Sequence, residues 1–368
     1  MRTFGVEEEF LVVDPKTGSP LPIGDMIVAS DQDHGADARF VLTTELQREQ
    51  VESVTKVCDS LDQLDSSLLD GRRRADSLAQ EFGARIVALG TSPMPVEPHI
   101  TPLPRYREIG TRFGIISTEQ LTCGFHVHVG VASDDEGVGA LDRIRVWLPV
   151  LLALSANSPF WNGRETGYAS YRRAIWTRLP ITGPADLFGT AEEYHRTVRD
   201  LLASEVVLDA GMVYFDARLS HDHPTVEIRV ADVCLDVEVA LLIAALARAL
   251  VETAVREWSD GKSAPAVPVP MVQLAMWRAS RSGLQGELLD PHDWRPRKAI
   301  EVVTALLDHV RTALVDAGDL HRVVESIEHG LGHGTGAHFQ RVNYAITGSH
   351  SAVVAMAVER TNMVGRLW

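Results

Sequence analysis

Phe4-Gly5-Val6-Glu7-Glu8-Glu9-Phe10-Leu11-Val12-Val13 sets three consecutive carboxylates inside a run that otherwise has the composition of a buried strand. Side chains alternate faces along a strand, so Phe4, Val6, Phe10 and Val12 share one side with Glu8, while Glu7 and Glu9 point together to the other. Two acids on one small area repel and raise each other's pKa unless something stands between them. The alternation leaves two readings of that face: an exposed edge with a solvated acidic side, or a carboxylate pair facing a divalent cation such as Mg²⁺ that carries a phosphate-bearing substrate.

Two further stretches repeat the pattern. In Gly124-Phe125-His126-Val127-His128-Val129-Gly130-Val131 the apolar residues make a core face, and His126 and His128 lie together on the opposite one. There they could ligate a transition metal, contact phosphate, or simply hydrogen-bond. In Thr225-Val226-Glu227-Ile228-Arg229-Val230 the acid and the guanidinium stand side by side, which in an ordinary sheet is a cross-strand ion pair.

The rest of the chain supports this as an α+β protein. Asp14 to Gly18 has turn chemistry, and the Asp-, Gly- and Ser-rich segment to about Arg39 reads as loop. Phe40 to Val57 is ambiguous: Glu45, Glu49 and Glu52 fit a helical face, but the valines favour strand at both ends. Leu61, Leu64, Leu68, Ala75, Leu78, Ala79 and Phe82 recur at threes and fours and predict an amphipathic helix from Ser60 to Phe82. A short strand at 84–90 precedes a Pro-rich loop, and a helix from Leu141 should be kinked at Pro149. The irregular, arginine- and tyrosine-rich stretch 157–173 has the makings of a ligand lid. Asp236 should cap a buried helix running to Trp258, the 259–270 connector is semi-rigid, and helices follow at 271–282, 296–317, 319–329 and 350–364. The glycine-rich segment from Gly330 to Arg341 reads as a loop whose N–H groups could cradle phosphate, although it lacks a P-loop's Lys-Ser/Thr ending.

With 368 residues, of which 45% are hydrophobic, the chain can bury a large core. It has no charged-then-apolar leader, and Glu238 and Arg248 break its most apolar run, so a soluble cytoplasmic protein is expected. Cys58, Cys123 and Cys234 are odd in number and widely spaced, which argues against a disulfide framework or a thiolate zinc site. A formal charge of −15 disfavours nucleic acid and anionic membrane as partners. If the three patterned strands share one sheet, their polar faces form a floor of carboxylates with histidine and arginine, suited to a nucleotide held through Mg²⁺ or Mn²⁺.

At these same residues the sequence resembles the bacterial carboxylate-amine ligase family, also called type 2 glutamate-cysteine ligases. The resemblance is carried by Gly5-Val6-Glu7-Glu8-Glu9-Phe10, Cys123 to Gly130, Asn157-Ser158-Pro159-Phe160-Trp161, Gly167 to Arg172, Pro224 to Arg229, and Gly334-Thr335-Gly336-Ala337 with Gln340-Arg341. It runs in order over essentially the whole chain, 1–368, as a single domain. It implies a glutamine synthetase-like fold: a curved, mainly antiparallel sheet with the site on its concave face and helices packed behind. It also implies an ATP-dependent ligase that activates a carboxylate as an acyl phosphate for attack by an amine, with small-molecule substrates, ATP and Mg²⁺ (or Mn²⁺), and a homodimeric state. On matching positions, Glu7, Glu9, Glu45, Glu52, His126 and Glu227 are the implied metal ligands. His126, Glu227 and Arg229 are the implied ATP contacts, Glu227 and Arg229 the catalytic pair, and Arg172 and Tyr168 the substrate-holding residues. Two rivals remain at this stage: a zinc hydrolase built on His126, His128, His333 and His338, and a non-catalytic ATP or amino-acid sensor on the same fold.

Overall fold

Three neighbours hydrogen-bond to the first strand, and this is why its alternation governs the architecture. β1 (Phe4–Val13) pairs with β3 (Gln50–Thr55), β4 (Arg85–Val87) and β5 (Gly124–Gly130), and the sheet is completed by β2 (Phe40–Thr44), β8 (Ala217–Leu219) and β9 (Thr225–Asp232) in the order β2-β3-β1-β5-β9-β8. Every pairing is antiparallel; β6 (Phe160–Trp161) and β7 (Arg164–Glu165) form a separate hairpin. The structure, a computed structural model, describes residues 1–34 and 39–363. The α+β class and the antiparallel sheet are as expected, and no helix among the described residues is long and apolar enough to cross a membrane.

One irregularity matters for the site. Phe125 faces Ala231 while Val127 faces Ile228, so β9 carries one more residue than β5 across this interval, a β-bulge at Arg229 and Val230.

The apolar face of the sheet is covered by the helices Leu61–Glu81, Leu148–Ser155 and Val237–Ser259, with Phe4, Val6, Phe125, Val127, Val226 and Ile228 in one continuous core. Ser60 caps the first of these helices by accepting from the Gln63 N–H, as the helical pattern predicts. Glu8 points into this apolar layer and is 1% exposed. Arg72, on the helix Leu61–Glu81 and 2% exposed, meets it there through Nη2–Oε1 at 2.6 Å and Nε–Oε2 at 3.1 Å. The same guanidinium donates to the carbonyls of Cys234 (2.7 Å), Leu235 (3.1 Å) and Thr361 (3.3 Å), so all five of its N–H donors are used. One side chain thereby fastens the first strand, a covering helix, the turn after β9 and the last helix.

Several expectations are corrected. The segment read as loop up to Arg39 contains the helix Gly24–His34, which buries Ile27 and Val28 and starts hard against β3, where a Cβ on Gly24 would collide with the Gln50 carbonyl. Pro149 does not kink a helix: the chain breaks after Ile144, and the proline sits in the first turn of Leu148–Ser155, where its missing N–H costs nothing. Asp236 precedes its helix but makes no side-chain cap; its carboxylate is held by Arg360 at 2.6 and 3.0 Å. The Gly330–Arg341 segment is not an open loop. The helix Leu320–His333 runs through Gly330 and Gly332, the chain turns at Gly334 with φ 91°, and a new helix spans Gly336–Thr347. Helices at 104–113, 115–119 and 191–203 were not foreseen, and the last predicted helix ends at Thr361, with residue 364 outside the described residues.

Arg72→Met should leave the Glu8 carboxylate buried and unpaired and lower the unfolding free energy by about 3–5 kcal/mol. Adding Glu8→Leu should recover part of that loss, since the stranded charge goes with it. Urea denaturation of the two variants checks both statements.

Candidate active site

The sheet places its polar side chains in ranks. Glu9 lies opposite Glu52, and Glu52 opposite Thr43. Glu7 lies opposite His126, His128 opposite Glu227, and Glu227 opposite Arg218. Residues paired directly across a sheet share a face, so β1, β3, β5, β8 and β9 deliver acids, imidazoles and guanidinium groups to one surface.

Hydrogen bonds then fix them. The Glu7 carboxylate bridges His126 Nδ1 at 2.8 Å and His128 Nε2 at 3.0 Å, and the other nitrogen of His128 meets Thr225 Oγ1 at 2.9 Å. Glu9 accepts from the Gly124 N–H at 2.6 Å. Glu227 is gripped by Arg218 Nε at 2.7 Å and by Arg229. Ligand atoms of three sets, Glu7/His128/Glu227, Glu7/Glu52/His126 and Glu9/Glu45/Glu52, each lie within 4.8 Å of one another.

The electrostatics divide along the same line. Burial would raise Glu7, but its hydrogen bonds from His126 and His128 outweigh that and hold it well below the ordinary carboxylate range. Glu227 is likewise buried, yet Arg229 and Arg218 bring it down to about 2. Glu45 is pushed the other way, up to about 8, by burial and by the nearby Glu9. Glu52 is raised well above its usual value by burial and by Glu45. His126 is lowered by burial and by Arg229, and its Nε2 is buried without a hydrogen-bond partner, 3.7 Å from Glu9 Oε1. Three crowded carboxylates, two of them resisting ionisation, and an orphaned imidazole nitrogen beside them fit a divalent cation with mainly oxygen ligands.

Two adjoining cavities open over this floor. One, of about 220 Å³, is bounded by Glu9, Glu45 and Glu52 and by the side chains of Tyr106, Ile109, Trp176, Leu179 and Tyr214. The other, of about 390 Å³, is bounded by His128, Arg218, His221, His223 and Glu227. Glu7, Arg105, Gly211 and Arg229 line both. The two spaces therefore meet at Glu7 and Arg229, and the larger, which Asp209 and Asp222 also line, mixes acids with guanidinium and imidazole groups.

Glu7, Glu9, Glu45, Glu52, His126, Glu227 and Arg229 are brought together as the sequence suggested. Arg172 sits beneath them rather than in the open space. Its buried guanidinium occupies the room left by Gly124, where a Cβ would collide with its Nη2; it lies 5.7 Å from the Trp176 ring, and its Nε has no partner in the structure. Tyr168 is not brought to either cavity: its hydroxyl accepts from Trp277 Nε1 at 3.2 Å, and its ring packs on Arg281. His333 and His338 bond to the His329 carbonyl and to Gln285, away from His126 and His128, so the four histidines of the zinc-hydrolase reading do not converge.

The stretch 157–173 is clamped, not a lid. Buried Asp232 accepts from the Asn157 N–H (2.8 Å), Ser158 Oγ (2.7 Å) and Ser170 Oγ (2.7 Å), and Ser158 Oγ in turn accepts from the Arg172 N–H (2.9 Å). The glycine-rich segment supports this loop, with Gln340 donating to Asn157 at 2.7 and 3.0 Å and Arg341 holding Glu165 and the Tyr168 carbonyl.

The walls come from 104–122 and 205–216 instead, joined by the Arg105–Asp209 pair at 2.7 and 3.0 Å and anchored by Gln47 to the Ser117 and Gln120 carbonyls. Arg105, Tyr106, Trp176, Tyr214 and Arg218 were missed. Arg218, between Ala217 and Leu219, repeats the alternation of β9 and was readable; the others stand on irregular or unforeseen segments.

A family model described as glutamate-cysteine ligase family 2 matches residues 3–356. A Streptomyces coelicolor protein named "Putative glutamate–cysteine ligase 2" is 50% identical over 367 residues, covering 98% of this chain and 99% of that protein. A Paenarthrobacter aurescens protein named "Putative glutamate–cysteine ligase 2-1" is 48% identical over 372 residues, covering 99% and 96%. Among solved structures, the Francisella tularensis glutamate–cysteine ligase in complex with AMP superposes with a TM-score of 0.67 at 14% identity, over 98% of this chain and 88% of that one. A bifunctional glutathione synthetase from Pasteurella multocida gives 0.70 at 16%, over 98% and 52%. At such identities the likeness is one of fold.

A raised carboxyl contributes stability that is complete below its unfolded pKa and is lost as pH climbs through its folded value. Metal-free protein should therefore lose Tm between roughly pH 4.5 and 8 on account of Glu45, with Glu52 and His128, also raised, acting in the same direction and His126, which is lowered, offsetting part of the loss. Glu7 and Glu227, being lowered, act only in more acidic solution. Glu45→Gln should flatten the decline, and the Tm gain on adding Mg²⁺ should grow with pH; differential scanning fluorimetry across that range reads both.

Proposed function

The chain belongs to the glutamate-cysteine ligase family 2, and from that premise we propose that it is an ATP-dependent carboxylate-amine ligase working through an acyl phosphate. The observation that carries the reading is that two adjoining spaces share Glu7 and Arg229 beside a cluster of carboxylates, so a phosphoryl group and an organic acid can meet at one point.

Glu9, Glu45 and Glu52 would hold one divalent cation, and Glu7 with His126, His128 or Glu227 would hold others; Mg²⁺ bound there neutralises phosphate oxygens. The chain's own groups do the rest. Arg229 and Arg218, both tethered by Glu227, present fixed guanidinium groups toward the larger space, where they would meet charge developing on the transferring phosphoryl group. The substrate carboxylate forms a bond to the terminal phosphorus as its bond to the ADP oxygen breaks. The amine then forms the amide bond as inorganic phosphate departs, and one proton of the amine is released. Little covalent help is needed from the protein, so alignment and exclusion of water dominate. The apolar walls from 104–122 and 205–216 suit that second task, because an acyl phosphate exposed to water hydrolyses.

With Mg²⁺-ATP, hydroxylamine and a panel of carboxylates including glutamate, ADP and a hydroxamate should appear in equal amounts with at least one acid. Arg229→Lys should lower kcat by about 10²–10³-fold while retaining the fold by circular dichroism. ADP release that no carboxylate stimulates, or nucleotide binding with no release, would turn the reading over in favour of an ATPase or a sensor.

A further inference from the structure

We propose that Trp176 is a positioning residue for the phosphoryl transfer, its indole face fixing the direction of the Arg229 guanidinium; this rests on the ligase reading above. The two arginines tethered by Glu227 are held very differently. Arg218 donates to Glu227 Oε2 at 2.7 Å and to the carbonyls of Gly211 at 2.8 Å and Val213 at 3.0 Å, so it is fixed from several sides. Among the described residues the Arg229 guanidinium has one hydrogen-bond partner, the Glu227 carboxylate that it shares with Arg218, and its buried Nε has none. A planar group held at one corner can pivot about that contact, and a second hold is needed to orient its free edge.

Trp176 supplies it. The Arg229 guanidinium carbon lies 5.8 Å from the centroid of its ring, within cation–π reach, and that of Arg172 lies 5.7 Å from the same ring. The two arginines are close enough for Arg172 Nη2 to donate to the Arg229 carbonyl at 3.5 Å, so an electron-rich ring common to both also offsets their mutual repulsion. The ring is itself held in place. Tyr214 packs on it edge-on at 5.0 Å between centroids. Trp176 ends the helix Tyr171–Trp176, whose Arg173 pairs with the Asp216 carboxylate, while the Asp216 carbonyl accepts the Arg229 N–H at 2.9 Å. One residue thus ties the helix bearing the ring to the bulged strand bearing the guanidinium. Trp176 also borders the smaller cavity, so a role as plain wall has to be separated from a role exerted through Arg229.

The test is a double-mutant cycle, since a residue that acts through Arg229 loses its effect once that guanidinium is gone. Binding of the Mg²⁺ complex of adenylyl imidodiphosphate, read by isothermal titration calorimetry, needs no turnover. Trp176→Leu should weaken it by about fivefold in the native background and by less than about twofold beside Arg229→Gln. In the hydroxamate assay Trp176→Leu should lower kcat by about tenfold while the carboxylate KM changes by less than about threefold, and Trp176→Phe, which keeps an aromatic face, should recover most of the loss. Tetrafluorotryptophan at position 176 preserves the shape of the ring and drains its face of negative charge. It should reproduce the Trp176→Leu losses, and it keeps the test open if the leucine variant does not fold. Equal losses in both Arg229 backgrounds, a carboxylate KM raised by about tenfold at unchanged kcat, or a fluorinated ring that binds and turns over like the native one overturns the inference and leaves Trp176 as wall. If native protein binds the nucleotide analogue but forms no hydroxamate, the ligase reading falls and the binding cycle alone decides the inference; no binding at all overturns both.

Discussion

The Glu8–Arg72 pair is the constraint on which the rest is built. A strand with acids at three successive positions must send one of them into the apolar layer, and an unpaired carboxylate there would cost several kcal/mol. Arg72 removes the alternative of turning the strand over. If β1 slipped by one residue, Glu7 and Glu9 would enter the core with no guanidinium to meet them, and Phe10 and Val12 would face the cavity. The buried pair thus acts as a register lock, and the outward direction of the other two acids follows from it. Its further bonds to the carbonyls at Cys234, Leu235 and Thr361 extend the lock to elements far apart in sequence.

The site is a case of like charges assembled at a cost and sorted by their neighbours. Glu227 and Glu7 have cationic or imidazole partners and stay ionised; Glu45 and Glu52 face mainly other acids and hold their protons. Carboxylates of one chemical type thereby acquire opposite behaviour from position alone. The arrangement favours a cation only where protons can be displaced, which links ion binding to pH without any additional device.

Much of this was legible in the sequence, because the informative strands alternate cleanly and alternation specifies faces. Glu7, Glu9, His126, Glu227 and Arg229 could be placed on a shared surface before any coordinates, and Glu8 on the other side. What could not be read was tertiary. Arg72 stands on the buried stripe of its helix, four residues after Leu68 and three before Ala75, but its charge reads as solvent-facing, and nothing local says that its guanidinium meets Glu8. The stretch 157–173 has lid-like composition, yet Asp232 and Gln340, distant in sequence, fix it in place. The glycines at 334 and 336 suggested phosphate because glycine marks close approach in general; here the close approach is to Asn157, where a Cβ on Gly336 would collide. The cavity walls rest on helices too short and irregular to give a period.

The extra residue in β9 has a consequence for how this sequence can vary. Glu227 shares its face with His128, and Asp232, across from Gly124, shares that same face although the two residues are separated by an odd number of positions, which in an unbroken strand would put them on opposite faces. The bulge reverses parity between them. Deleting a single residue there would remove the bulge and leave a regular ladder, with Asp232 still across from Gly124 on the same face; what would change is the local twist and the aim of the Arg229 side chain. The additional residue is therefore a device for aiming a guanidinium, and a shorter strand would keep its layers while pointing Arg229 elsewhere.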